Sequence, residues 1–529
     1  MQKNGKKQRD WHDAATRWLI FFGVAIVLSV MLWLGWSLTN RRNPIPVFGT
    51  LTTDSTVSIG LRDAPESLDI RTQQGHAVEQ ALLGNVYETL VSRSETNKLQ
   101  PGLASSWQIS DDGLTYTFTL RSGVKFSNGH SLDSADAVWS LQNAVNNHYV
   151  DADQLDGLQQ VDNPDAHTLV ITLSKPNPRL LRALSGRAGI VYDEESDNDY
   201  AKTAIGSGPF TVARASKSEI VLQRNDSYWG TKAASSQITL YYYSSESSLT
   251  SAMEGGKISM ALPLSADAAE TLNATRGISA DSGISFDKVM LAFNNANESI
   301  LVDQQMRKVM RYAIDARSIA KTANDSYGAL GGPISPLEDG YEDLTELFPH
   351  DLTQAQQLRS YFGTGYIGTI DLLIPQQYET IGNTVKEQIE QLGVSVNMEV
   401  LDTATVQQRV NDGSYTIALI TMSGENDASI FTDGQSVFHF ENGDCQRAYA
   451  DALAATNDDD YQERMRTYAR TVSENAACDW LYTRKNFMAV SDRLQGYPKN
   501  LTDRLLPLSR VALHCFFRVI PAIDENRPY

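Results

Sequence analysis

The chain has 529 residues, 41% hydrophobic and 21% charged, with a formal net charge of −19. That length exceeds one ordinary domain, and that mixture describes folded protein rather than a disordered chain. Residues 1–42 carry seven Lys/Arg against Asp10 and Asp13, so +5, which leaves −24 for the remainder; a body that acidic excludes nucleic acid as a partner, because phosphate binding needs clustered positive charge.

The first element is WLIFFGVAIVLSVMLWLGWSL, Trp18 to Leu38, which contains no charged residue. At about 1.5 Å per residue it reaches about 30 Å, enough to cross the hydrocarbon core of a bilayer. Trp18, Trp33 and Trp36 fit interfacial anchoring, and five basic residues precede the run while two follow it. The positive-inside bias then places the N-terminus in the cytoplasm and the large body outside. The run is longer than a secretory apolar region and no Ala-x-Ala site follows, so it reads as an uncleaved single-pass anchor rather than a signal peptide. The expected order is a cytoplasmic tail 1–17, an anchor 18–38 in the cell membrane, and a polar, proline-stiffened linker 39–55.

In the body, LTYTFTL, residues 114–120, alternates like a strand, with Leu114, Tyr116, Phe118 and Leu120 on one face. After two turns, SLDSADAVWSLQNAV switches to helical period, with Asp133 or Ser134 as its cap and Val138, Leu141 and Val145 on one face. HTLVITL from His167 is another strand. Gly206–Pro209 makes a Gly-rich turn before a hairpin, with strands near Phe210–Arg214 and Glu219–Arg224. The second half changes character. A helix from Gln304 presents Met306, Val309, Met310 and Ala313 on one stripe. Then IDLLIP, a helix through Val385 and Ile389, VSVNMEVL, a helix around Val406 and Val410, and YTIALITM make a β-α-β-α-β unit. Short connections imply a parallel sheet with right-handed crossovers. Ligands in such sheets sit beyond the carboxyl ends of strands, and YTIALITM runs straight into SGENDASIF, residues 423–431. A β-rich front and an α/β second half suggest two lobes with a cleft between them.

The three cysteines form no zinc pattern. Cys445 and Cys478 flank one helical pattern and are the candidate disulfide, although sequence cannot supply the Cα separation that a bridge requires. Cys515 lies in an apolar run and reads as a buried thiol. Asp458–Asp460 lacks the spacing of a calcium loop and reads as the cap of a helix beginning near Tyr461. No cofactor or metal is expected, because the eight histidines are scattered and none lies in HExxH. Without HExxH or G-x-S-x-G no enzyme is expected either.

Four blocks in order resemble the large extracytoplasmic solute-binding proteins of ABC importers, the oligopeptide/dipeptide-binding type. They are LASSWQISDDGLTYTFTLRSGVKFSNGHSLDSADAVWSLQ, GSGPF followed by LQRNDSYWG, MRKVMRYAIDARSIAK, and GSYTIALITM. The resemblance implies a two-lobed, periplasmic-binding-protein-like α/β fold with mixed sheets, closing on its ligand like a hinged trap. It puts lobe I at 56–286, completed by 491–529, and lobe II at 287–490, with crossings near Asp287 and Ser491. It implies a small solute, most simply a peptide, as ligand, ABC permease subunits as partners, and a monomer. In the family an acid in the loop after the parallel strand pairs with the ligand's amine, and Glu425 and Asp427 match it here. Gln73, Gln74 and Gly75 border the cleft, and Gly206 and Ser207 lie near it. Tyr228 and Trp229 read as core packing. Two departures stand out: Thr421 and Met422 occupy a position where the family usually has Trp, and Asp427-Ala428 replaces Asp-Pro. They leave open an ectodomain that senses or docks, with no part in transport.

Overall fold

The computed structural model describes residues 55–363 and 368–514. The uncharged run 18–38 and Cys515 lie outside the described residues, and among the described residues no helix is long and apolar enough to cross a membrane.

In chain order the strands used below are β1 (Thr56–Leu61), β2 (Val91–Arg93), β3 (Leu99–Pro101), β4 (Ala104–Ile109), β5 (Thr115–Leu120), β6 (Leu158–Asp165), β7 (Thr168–Leu173), β8 (Phe210–Ala215), β9 (Glu219–Arg224), β10 (Gln237–Tyr242), β11 (Met260–Leu264), β12 (Ile278–Phe293), β13 (Ser326–Ala329), β14 (Ile370–Pro375), β15 (Val396–Leu401), β16 (Ile417–Met422) and β17 (Cys478–Ser491). Eleven of them form one mixed sheet in the order β15-β14-β16-β12-β17-β11-β1-β10-β9-β8, with β13 branching from β17. A separate antiparallel sheet runs β4-β5-β7-β6.

The alternating stretch at 114–120 becomes β5. Tyr116, Phe118 and Leu120 enter a core with Leu169 and Ile171 of β7, while Thr119 stays exposed. The helix that follows, Ser134–Asn146, starts on a reciprocal capping box between Asp133 and Asp136. Its buried face is Ala137, Leu141 and Ala144, not the expected Val138, Leu141 and Val145. The small alanines let the helix lie close to the sheet, and both valines flank the contact, half-buried. The hairpin β8/β9 forms as expected. The helix Asp458–Glu474 does begin near Tyr461, but its cap is Asn457, whose side chain accepts from Asp460 N; the three aspartates occupy the first turn.

The β-α-β-α-β unit is parallel: β14 lies between β15 and β16, with the helices Glu379–Glu390 and Thr403–Asn411 as crossovers. Both faces of this region are covered. Val289, Leu291 and Phe293 of β12 enter one core, and Met290 and Ala292 enter the other. That double burial explains why the run VMLAF is apolar throughout instead of alternating.

Two long strands, β12 and β17, connect this region to the β1 region. The lower part of β17, Phe487–Val490, pairs with β11, whereas the upper part of β12, Lys288–Phe293, pairs with β16. Their mutual register breaks between Ile284 and Lys288. The segment after β17 packs back onto the β1 core through Leu506, Leu508 and Val511. Asn85 fixes it there, donating to Leu506 O at 2.9 Å and accepting from Leu508 N at 3.0 Å.

The expected Cys445–Cys478 bridge is not formed; both are buried free thiols. Both lie in one core, on separate elements. Cys445 sits in the first turn of a helix with its N–H bonded to Asn442, and Cys478 opens β17 with Sγ 3.8 Å from Met290 Sδ.

Candidate functional site

The loop after β16 is held from beneath by a buried cation. Lys288 stands opposite Met422 in the β12/β16 pairing and is fully buried. Its Nζ lies 2.6 Å from Asp427 Oδ1 and 2.7 Å from Glu338 Oε2, and it donates to Gly424 O at 3.3 Å. Glu338 completes the clamp, accepting from Asn426 N and Ser335 N, each at 2.8 Å. Burial pushes the Asp427 carboxyl above its ordinary range, and Glu338 adds to the rise; Lys288 opposes both. Two carboxylates sharing one ammonium cannot both be fully compensated.

Glu425, two residues earlier, turns the other way. Its Oε2 pairs with Arg93 Nη1 of β2 at 2.7 Å, and its Oε1 accepts from Asn97 Nδ2 at 3.1 Å and lies 3.8 Å from Arg182 Nε. Arg182 also grips both oxygens of Asp339 at 2.9 Å. Burial would raise the Glu425 pKa, but the fields of Arg93 and Arg182 and the bonds from Asn97 and Arg93 bring it down to about 2. Glu425 and Asp427 therefore share a loop, yet each already faces a cation of the chain itself.

Gln73, Gln74 and Gly75 line a different space, a cavity of about 730 Å³. It opens where β1 and β11, parallel neighbours, end: Arg62 directly follows β1, and Pro263 is the penultimate residue of β11. This is the carboxyl-end position expected for a ligand in a parallel sheet. Arg187 shapes its rim by donating to Gln73 O at 2.5 Å and to Gly75 O. Gly75 has φ +84, which favours glycine. Asp503 of the C-terminal segment forms another part of the wall. The adjoining Arg504 donates to Ser423 O, so this wall and the 423–431 loop are in direct contact.

Gly206 and Ser207 are buried and line neither wall of that cavity. A Cβ on Gly206 would stand 2.0 Å from Val86 O. Gly206→Ala is therefore expected to cost about 1–3 kcal/mol through forced backbone displacement, read as a lower midpoint in chemical denaturation. Ser207 Oγ donates to Glu88 Oε2 at 2.8 Å, joined by Tyr228 OH at 2.7 Å and Trp229 Nε1 at 2.8 Å. Tyr228 and Trp229 are thus more than packing: with Glu88 and Arg93 they line a second cavity of about 310 Å³. Burial holds the Glu88 carboxyl above its ordinary range despite these three donors.

Sequence reasoning did not single out Arg93, Arg182, Lys288 or Glu338. Lys288 left one signal, a single cation inside the apolar run SFDKVMLAF; Arg93 and Arg182 left none.

The cavity thus lies at the ends of parallel strands, with Asp503 of the returning C-terminal segment in its wall. The chain belongs to the bacterial extracellular solute-binding proteins, family 5, whose family model ("Middle") matches residues 98–435. It is 25% identical over 443 residues to the "Probable D,D-dipeptide-binding periplasmic protein DdpA" of Escherichia coli K12, covering 78% of this chain and 84% of that protein. It is 24% identical over 472 residues to "Heme-binding protein A" of Haemophilus influenzae, with 78% and 84% covered. Among solved structures it is similar to the ABC transporter substrate binding protein CtaP of Listeria monocytogenes, with a TM-score of 0.77 and 18% identity over 88% of this chain and all of that one.

Proposed function

We propose that this chain is the membrane-tethered, extracytoplasmic receptor of an ABC importer, capturing a small peptide between two lobes and presenting it to the permease. The observation that carries the reading is the family match over 98–435 together with the 730 Å³ cavity at the ends of β1 and β11. The volume lies in the range of small-ligand sites. In this reading lobe I is 56–286 completed by 491–529, lobe II is 287–490, and residues 18–38 anchor the chain in the membrane. The register break at Ile284–Lys288 supports a hinge there, since a break in pairing is where two long strands can bend. Gln73, Gln74 and Gly75 border the ligand. Glu425 and Asp427 set the loop that meets it, and Gly206 and Ser207 support the smaller cavity behind Arg93. Tethering raises the receptor's effective concentration near its permease.

The test is a library of di- to tetrapeptides screened by thermal shift on the full chain, with small-angle scattering on each hit. The expected result is a raised melting temperature and a smaller radius of gyration with a subset of peptides. Failure of every peptide to change either quantity rejects the reading.

A further inference from the structure

Lys288 and Asp427 meet in a way that an ordinary ion pair does not explain. Nζ lies 2.6 Å from Asp427 Oδ1, yet Oδ1 is a buried oxygen with no hydrogen-bond partner among the described residues. The amine therefore does not approach that oxygen along a hydrogen-bonding direction. The carboxyl itself is held in place, because its Oδ2 accepts from Gly424 N at 3.1 Å. Glu338 also receives the amine, its Oε2 accepting from Nζ at 2.7 Å. All three side chains are enclosed, with exposures of 1% for Lys288, 3% for Glu338 and 16% for Asp427. Phe286, just before Lys288 on β12, and Leu337, next to Glu338, are buried in one apolar cluster, and Ala428 after Asp427 is buried too. An amine, a carboxyl and a second carboxyl in a dry enclosure are the two reactants and the proton carrier of an amide bond.

We propose that Lys288 and Asp427 join in an isopeptide bond, with Glu338 carrying the proton, so that the loop after β16 is stapled covalently to β12. The ion pair described above is the starting state. Glu338 takes one proton from the ammonium and leaves a neutral amine. The amine lone pair attacks Cγ of protonated Asp427, and the Nζ–Cγ bond forms. A second amine proton passes to the carboxyl hydroxyl, the Cγ–O bond breaks, and water leaves. One amine and one carboxylic acid thus give one amide and one water, the first proton remains on Glu338, and no oxidant, reductant or cofactor takes part. Burial and Glu338 hold the Asp427 carboxyl above its ordinary range, which keeps the proton that lets its oxygen depart as water. Burial lowers the Lys288 pKa while Glu338 and Asp427 raise it, so the amine is a nucleophile only while Glu338 holds its proton. Fixed neighbours react as if at very high concentration, and the product exchanges buried charges for a neutral amide, which relieves their desolvation. Cys445 and Cys478 are unbridged, so the amide would tie distant segments that no disulfide between them secures. The bond does not depend on which ligand the chain takes.

Mass spectrometry of the purified full chain, intact and after trypsin, tests this. The intact mass is expected to fall below that of the unlinked chain by one water molecule. Trypsin is expected to release a branched peptide in which residues 277–307, uncut at Lys288, are joined to residues 410–447. Lys288→Ala and Asp427→Ala are expected to show no loss of water and to give the two segments as separate peptides. Glu338→Gln keeps both reacting groups and removes the proton carrier, and it is expected to be recovered mainly unlinked. A wild-type chain at full mass, cut by trypsin at Lys288, overturns the proposal. A cyclic imide at an aspartate also loses one water, so water loss without the branched peptide overturns it as well. A Glu338→Gln chain as fully linked as wild type overturns the role given to Glu338.

Discussion

Lys288→Ala is expected to destabilise the folded chain by about 3–5 kcal/mol, the usual cost of breaking a buried ion pair by removing one partner. The ammonium is fully buried and sits within 2.7 Å of two carboxylates, Glu338 and Asp427. Without it the two acids face each other across the same dry space, and one of them must hold a proton. The loop suffers with the core, because Glu338 binds Asn426 N and Lys288 binds Gly424 O. Denaturant unfolding of the full chain reads the loss. The triple variant Lys288→Met, Glu338→Gln, Asp427→Asn removes all three charges and is expected to recover a large part of it, since replacing a whole buried charge cluster is far cheaper than orphaning a member. A loss below about 1 kcal/mol in Lys288→Ala would show that the ammonium is hydrated rather than enclosed.

Glu425→Gln is expected to be the second most damaging change, with a pH signature of its own. Arg93 and Arg182 hold the folded carboxyl at about 2, below its ordinary 4.5, even though burial pushes the other way. A folded pKa below the unfolded one means that the stabilisation is complete above about pH 5 and drains away as the pH falls toward 2. A shift of that size corresponds to about 3 kcal/mol. The gap between wild type and Glu425→Gln should therefore be widest near neutral pH and nearly closed at pH 2, measured as unfolding free energy across that range. A gap that does not change with pH would place Glu425 outside the field of the two arginines. The pairing also ties the loop after β16 to the hairpin β2/β3, so under the receptor reading proposed above the variant is expected to increase the radius of gyration in scattering.

Much of the scaffold was legible because it obeys short-range rules. The alternation in TYTFTL, the Asp133–Asp136 box and the βαβαβ punctuation each lie within a few tens of residues. Period and capping act at that distance. The helix Ser134–Asn146 shows how far this reaches: its period was readable, but which of two adjacent stripes was buried depended on the sheet it meets. Gln73, Gln74 and Gly75 line a cavity, and the cations that Glu425 and Asp427 face were not readable from the loop alone.

By itself the sequence determined the family, the order of elements and the acidic body. Tertiary structure alone decided where each charge ends up. Arg93 and Glu425 are 332 positions apart, and Lys288 and Glu338 are 50 apart. Such pairings follow from how the sheets stack, and no local period records them. Charge complementarity acts through space at a few ångströms, so the partners of a carboxylate, and hence whether it is left to meet a ligand, are fixed only once the chain has folded.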